Sequence, residues 1–337
     1  METKCLTVDD IDIAAEILKS GGLVAMPTET VYGLAANAYN GVAVAKIFKA
    51  KGRPMDNPLI VHISNIEQIK DLVSVFPEKA KILAEHFWPG PLTIILPKSE
   101  RIPDEVSAGL PTVAVRFPAH PIAQALISKS MPLAAPSANL SGKPSPTTAA
   151  HVWDDMNGRI DAVLDGGACE VGVESTVITL ATDVPRLLRP GGITLEELRA
   201  AIGEVELDTA VLNPLKSGET AASPGMKYKH YAPKAKVILL KGGSHAYCTY
   251  VNAHAENGTA ALCYAEEQTA LKVPFLCLGA DKNYEEQANN LFEALRLCDK
   301  KNYQKVYAHC PETTGLGLAV YNRIIRAAGF EVIDLEE

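Results

Sequence analysis

The sequence predicts an α/β chain of two domains, and three observations carry the prediction. Short apolar runs of strand length alternate with segments of helical periodicity from residue 8 to residue 203. That density implies one large sheet with helices packed on it. The pattern breaks across residues 204–235, rich in Pro, Gly and Ser and long for an idle connection inside a compact fold. A second alternation begins at 236 and fits a small doubly wound, Rossmann-like βαβ unit. The domains are therefore placed at 1–203 and 236–337, with a linker over 204–235, and a length of 337 residues agrees with two domains.

The first helix falls at 8–19. Asp9 or Asp10 can cap it, Ile13, Ile17 and Leu18 form its apolar face, and Gly21-Gly22 stops it. Leu23–Pro27 follows as a buried strand. Runs rich in Val, Ile and Leu predict further strands at 59–63, 92–97, 112–117, 132–135, 161–164 and 175–180. Helical spacing predicts helices at 42–50, 66–74, 77–87, 120–129, 147–156 and 194–202. In the second domain strands fit 236–240, 260–264, 273–278 and 305–309, and helices fit 244–255, 284–299 and 315–328. Ala288, Leu291, Phe292 and Leu295 share one face, as in a helix that covers a core. Strand order is not legible from these patterns.

Composition narrows the function. The chain is 47% apolar and 21% charged, ordinary for a soluble globular protein. A net charge of −8 gives no global electrostatic case for nucleic acid or membrane, although a local basic cleft remains compatible with it. Seven cysteines, at 5, 169, 248, 263, 277, 298 and 310, show neither CxxC pairs nor Cys/His ligand spacing, and suit reduced thiols in the cytoplasm. No signal peptide and no apolar stretch of spanning length is expected.

Five segments carry candidate chemistry. In Lys51-Gly-Arg53-Pro-Met-Asp-Asn57-Pro-Leu-Ile-Val-His62, two cations leave a helix on a loop stiffened by Pro54 and Pro58. Arg offers a planar fork and Lys a mobile point charge, which suits a polyphosphate, or simply a solvated basic loop. Pro27-Thr-Glu-Thr30-Val-Tyr-Gly-Leu34 follows the first strand with hydroxyls and a glycine, the place where open α/β sheets bind ligands, or a plain polar turn. In Thr112-Val-Ala-Val-Arg116, an arginine ending an apolar strand needs an anion, either a ligand carboxylate or phosphate, or an acid of the chain. Ala134-Ala-Pro-Ser137-Ala-Asn139-Leu-Ser-Gly-Lys-Pro-Ser145 can offer N–H groups and hydroxyls to a phosphate without being a P-loop. Gly172-Val-Glu-Ser175-Thr-Val177 is followed by Leu188-Arg189-Pro-Gly-Gly192, another cation at a strand end. Beyond these, Lys227-Tyr-Lys-His-Tyr231-Ala-Pro233 interleaves bases and aromatics on the linker, as a lid or a single-strand contact would. GxSxG, HExxH and full GxGxxG motifs are missing. The inventory is cations and hydroxyls, with no nucleophile–base pair and no metal cage. It fits a site that orients two small reactants against phosphate charge.

These segments, in this order, resemble the YrdC-like family over about residues 10–200, and the Ser223–Pro233 run with the βαβ tail resembles its two-domain form. The resemblance implies a twisted, open mixed sheet with a basic concave face. It also implies a nucleotidyl transfer that joins L-threonine, bicarbonate and ATP, with Mg²⁺ on the nucleotide, into threonylcarbamoyl-adenylate and pyrophosphate. A separate transferase would then use the adenylate to modify tRNA beside the anticodon, so tRNA is an indirect partner. Carried over by motif position, Lys51 and Arg53 would neutralise the triphosphate. Thr30, His62, Arg116 and Ser175 would hold threonine. Arg53, Asn57, Thr112, Ser137, Asn139, Ser145, Arg189 and Tyr231 would frame ATP, and residues 218–233 would fold over the site. The competing reading is an RNA-binding module without chemistry, marked by strongly salt-dependent affinity.

Overall fold

The structure, a computed structural model, describes residues 2–214 and 230–335. They form two compact units, one built from the chain before 215 apart from two short stretches, the other from His230 onward. Along the first unit run β1 (Lys4–Leu6), α1 (Ile11–Lys19), β2 (Val24–Met26), β3 (Gly33–Asn37), α2 (Gly41–Lys51), β4 (Ile60–His62), α3 (Ile69–Leu72), α4 (Glu78–Phe87) and β5 (Leu92–Pro97). There follow α5 (Asp104–Ser107), β6 (Thr112–Arg116), α6 (Pro121–Lys129), β7 (Leu133–Ala134), α7 (Ala149–Met156), β8 (Ala162–Leu164), β9 (Thr176–Thr179), β10 (Arg186–Arg189), α8 (Leu195–Ile202) and β11 (Glu206–Leu207). The strands make one mixed sheet in the order β1-β8-β2-β3-β7-β4-β6-β5-β9-β10-β11.

The two faces of the central strands are covered differently, and this places the site. Val61, Ile94 and Val115 point into the main core with Ile47, Leu83 and Leu198. Burial of each such side chain contributes roughly 1.5–3 kcal/mol. The opposite face carries the smaller cluster Ile60, Ile95, Ala114, Val177 and Leu188, joined by Ala210 from a 3-10 turn at Thr209–Val211. Because side chains alternate along a strand, the next residues on that second face are His62 after Ile60 and Arg116 after Ala114.

Helix α2 delivers the basic loop. Asn40 caps it by accepting from the Ala43 N–H at 3.1 Å, and Gly52 ends it in the left-handed conformation at φ 61°. The chain reverses there, between Lys51 and Arg53.

The second unit runs β12 (Lys236–Lys241), α9 (Ser244–Ala253), β13 (Thr259–Cys263), β14 (Phe275–Cys277), α10 (Tyr284–Lys300), β15 (Lys305–His309), α11 (Gly317–Ala327) and β16 (Val332–Asp334). Its sheet is parallel throughout, in the order β14-β13-β15-β12-β16. Ala288, Leu291, Phe292 and Leu295 of α10 are fully buried, as their spacing requires. Among the described residues no helix is long and apolar enough to cross a membrane.

The α/β class, the large sheet and the small parallel sheet agree with the sequence reading. Details differ. On α1 the buried residues are Ala14, Ala15 and Leu18, while Ile13 is 47% exposed, so the packed stripe is offset from the one expected. Residues 206–211 are not irregular; β11 pairs with β10 and extends the first unit's sheet.

Candidate active site

The site is built from a row of polar residues across the sheet and a basic loop beside it. His62 of β4 and Arg116 of β6 are register partners, and Arg116 is in turn opposite Thr93 of β5. All three side chains therefore leave the sheet on the face opposite the main core.

Arg116 is 3% exposed. Its Nη1 donates to Thr30 Oγ1 at 2.8 Å and its Nη2 pairs with Glu29 Oε1 at 2.7 Å. The sequence leaves Arg116 either a ligand anion or an acid of the chain, and the structure supplies Glu29. Burial pushes the Glu29 carboxyl upward. The Arg116 charge, with hydrogen bonds from Arg116 and from the backbone N–H groups of Ala119 and Glu29, more than offsets it and holds the group ionised below its ordinary range. Thr28 Oγ1 lies 2.9 Å from Thr30 Oγ1 and donates to the Val31 carbonyl at 2.6 Å, which fixes the turn.

His62 is buried beside this pair. Burial first, and the Arg116 charge second, push its imidazole down to about 3, so it is neutral at physiological pH. Its Nδ1 lies 3.2 Å from the Ile60 carbonyl. Further along the sheet Thr93 Oγ1 stands 2.8 Å from Ser175 Oγ, and Arg189 donates from Nη2 to Ser175 Oγ at 3.1 Å and from Nε to the Ser175 carbonyl at 3.0 Å. Gly191 makes this closeness possible. A Cβ there would stand 2.4 Å from Thr176 N and 2.6 Å from both Glu174 O and Ser175 C.

In the basic loop, Lys51 is turned inward. Its ammonium donates to the carbonyls of Ser137 and of Asn139, the latter at 2.7 Å. Burial, then the neighbouring Arg53 charge, hold it well below the usual lysine range, against the pull of Asp155 and Glu174. Lys51 thus pins the 137–139 loop. Arg53 donates from Nη2 to the Asn57 carbonyl at 2.8 Å and lies over the Phe48 ring. Ser145 donates to Glu174, which adjoins Ser175 in sequence and so links loop and row. Asn57 is fully buried, and neither atom of its side-chain amide has a hydrogen-bond partner. A buried amide left this way costs about 1–3 kcal/mol, which fits a group held for a ligand.

The structure brings Thr30, His62, Arg116, Ser175 and Arg189 into the row and Lys51, Arg53, Asn57, Ser137 and Asn139 around the loop. Thr112 lies at the other end of β6, four residues from Arg116 and on the same face, roughly 13 Å away at about 3.3 Å per residue. Tyr231 belongs to the second unit, buried with its ring 5.3 Å from that of Phe292 and under the Arg323 guanidinium. The expected closure of residues 218–233 falls mostly on 215–229, outside the described residues.

Comparison with known proteins bears on this arrangement. Residues 16–191 match the Sua5/YciO/YrdC family model, described as telomere recombination, and residues 193–329 match the C-terminal domain of threonylcarbamoyl-AMP synthase. The chain belongs to the Sua5/YciO/YrdC family. Within it, a threonylcarbamoyl-AMP synthase of Pyrococcus abyssi is 50% identical over 96% of this chain and 95% of its own. One of Bacillus subtilis is 47% identical over 97% and 96%. The solved structure of P. abyssi Sua5 complexed with L-threonine superposes with a TM-score of 0.91 at 46% identity, covering 99% of each chain. This member of the family is accordingly an enzyme, a transferase of the threonylcarbamoyl-AMP synthase kind, tied to tRNA processing.

Two residues of this site escape the sequence reading. Glu29 lies inside the Pro27–Leu34 segment, where the hydroxyls drew attention. Thr93 is hidden in the apolar run Leu92–Pro97, and its only signal is one polar residue breaking a strand.

Two outcomes are expected here. Asn57→Leu should raise the unfolding midpoint, because an unpartnered amide gives way to a hydrocarbon of similar size, while nucleotide binding falls; thermal melts with and without ATP measure both. His62 should make the fold acid-sensitive. Its pKa falls from 6.5 to about 3 on folding, so stability is complete above pH 6.5 and is lost as pH drops toward 3, by up to about 4 kcal/mol. His62→Asn should flatten denaturation free energy against pH across that window.

Proposed function

We propose that this enzyme forms threonylcarbamoyl-AMP and pyrophosphate from L-threonine, bicarbonate and ATP in the cytoplasm. A separate transferase then moves the threonylcarbamoyl group to the adenosine beside the anticodon of tRNA. The observation that carries the reading is a relative, similar over nearly its whole length, solved with L-threonine. The threonine amine and bicarbonate combine to a carbamate with loss of water. A carbamate oxygen attacks the α-phosphate, and pyrophosphate leaves.

Both partners of that attack are anions, so the step depends on fixed positive charge. Arg53 supplies it to the phosphates. Lys51 contributes its charge at short range and holds the Ser137–Asn139 loop against the nucleotide. Asn57, Thr112, Ser145 and Arg189 are the remaining nucleotide contacts in this reading. Arg116 takes the threonine carboxylate, and Thr30, neutral His62 and Ser175 take its hydroxyl and amine. Among the described residues no group of three His, Cys, Asp or Glu side chains gathers to hold a metal. Mg²⁺ therefore fits as an ion carried on the ATP oxygens, which are its usual ligands. Bound there it would supply positive charge beside that of Arg53.

Pyrophosphate release with ATP and Mg²⁺ tests the reading. Release is expected only with both L-threonine and bicarbonate, weakly with serine, and about 10²-fold slower in Arg53→Ala, the usual effect of losing one stabilising donor. No release with any amino acid, beside steeply salt-dependent RNA binding, would replace this reading by the RNA-binding module.

A further inference from the structure

We infer that Glu29 joins Thr30, His62 and Ser175 in receiving the α-ammonium of the amino-acid substrate and, as the one charged member of that set, sets the selection for a zwitterion. The inference rests on the reading that Arg116 takes the substrate carboxylate. Arg116 and Glu29 are 3% and 6% exposed, and their charged groups are 2.7 Å apart. His62, their register neighbour, is neutral because burial and Arg116 push its pKa down to about 3. The pocket thus holds one fixed positive and one fixed negative charge side by side, with no net charge between them.

An α-amino acid carries the complementary pattern, a carboxylate and an ammonium on one carbon. A carboxylate seated on Nη1, where Thr30 now accepts, leaves Nη2 with Glu29 and brings the ammonium beside the Glu29 carboxylate. Each buried charge then keeps an opposite partner. A hydroxy acid without the amine adds one uncompensated negative charge next to Glu29 in a poorly screened site, and an amine without the carboxylate adds one positive charge next to Arg116. Both are disfavoured by the pair itself. Arg116 alone would draw any carboxylate, and Glu29 converts that attraction into a requirement for both charges.

Calorimetric titration of wild type, Glu29→Gln and Glu29→Asp with three ligands tests this. The ligands are L-threonine, 3-hydroxybutyrate (no amine) and threoninol (no carboxylate). Wild type should prefer threonine to 3-hydroxybutyrate by at least tenfold. In Glu29→Gln threonine should weaken at least tenfold while 3-hydroxybutyrate is unchanged or tighter, so that the preference collapses, and Glu29→Asp should restore part of it. If Glu29→Gln weakens both ligands equally, or neither, Glu29 has at most a structural role and the inference falls. Wild-type binding of threoninol as tight as threonine would instead overturn the carboxylate reading of Arg116. ATP binding and the thermal midpoint of each variant show that the domain is folded.

Discussion

Arg116→Ala is expected to abolish threonine-dependent pyrophosphate release and also to weaken the fold by about 3–5 kcal/mol. The two losses have different origins. On the proposed reading, activity falls because the substrate carboxylate loses its cation at the end of β6. Stability falls because Glu29, 6% exposed and held ionised chiefly against burial by Arg116, is left as a lone buried charge. The double variant Glu29→Gln/Arg116→Met separates them. It removes both charges and keeps the volume, so urea denaturation should show most of the stability restored, with turnover still absent. If the double variant were as unstable as Arg116→Ala, the lost stability would belong to packing around the guanidinium and not to the orphaned carboxylate.

Gly191→Ala is expected to be nearly as damaging, although Gly191 carries no functional group. The added methyl would meet backbone atoms of Glu174, Ser175 and Thr176 at 2.4–2.6 Å. Backbone cannot swing aside as the end of a flexible side chain does, so the 174–176 turn must move away from Gly191. Overpacking of this kind costs about 1–3 kcal/mol. The larger effect is on the chemistry, because Ser175 is gripped by Arg189 and Thr93 at 2.8–3.1 Å, and a misplacement of about 1 Å costs on the order of 10²-fold in rate. A denaturation midpoint and kcat/KM for threonine, measured together, should show the catalytic loss exceeding the loss of stability. Unchanged kinetics would mean that the 174–176 turn can move without consequence.

Much of the fold was legible because its strands are short and strongly apolar. Leu92–Pro97 and Thr112–Arg116 needed only their Val, Ile and Leu content to be found. β3 was not found as a strand because Gly33-Leu-Ala-Ala-Asn37 has little strand propensity; tertiary burial, with four of its five residues buried, overrides it. β1, β11 and β16 have two or three residues each, too few for any period to show. At the site, Arg116, His62 and the Lys51–Arg53 loop stood out because charged or titratable residues next to apolar strands demand an explanation. Their partnerships did not, since register sets them. That Lys51 turns inward to the Ser137 and Asn139 carbonyls, and that Arg116 already has Glu29, are facts of pairing between distant segments.

That distance has a further consequence. Thr30 and Arg116 are 86 positions apart, Thr93 and Ser175 82, and Lys51 and Asn139 88. Each functional contact thus closes a loop spanning much of the first unit, and such closures come late and together when a chain folds. A half-folded chain emerging from the ribosome has the cations and the hydroxyls but no assembled place to bind threonine. On the proposed reaction, the labile carbamate would not be made on immature chains, and the return of threonine binding after dilution from urea would be a direct clock for completion of the central sheet.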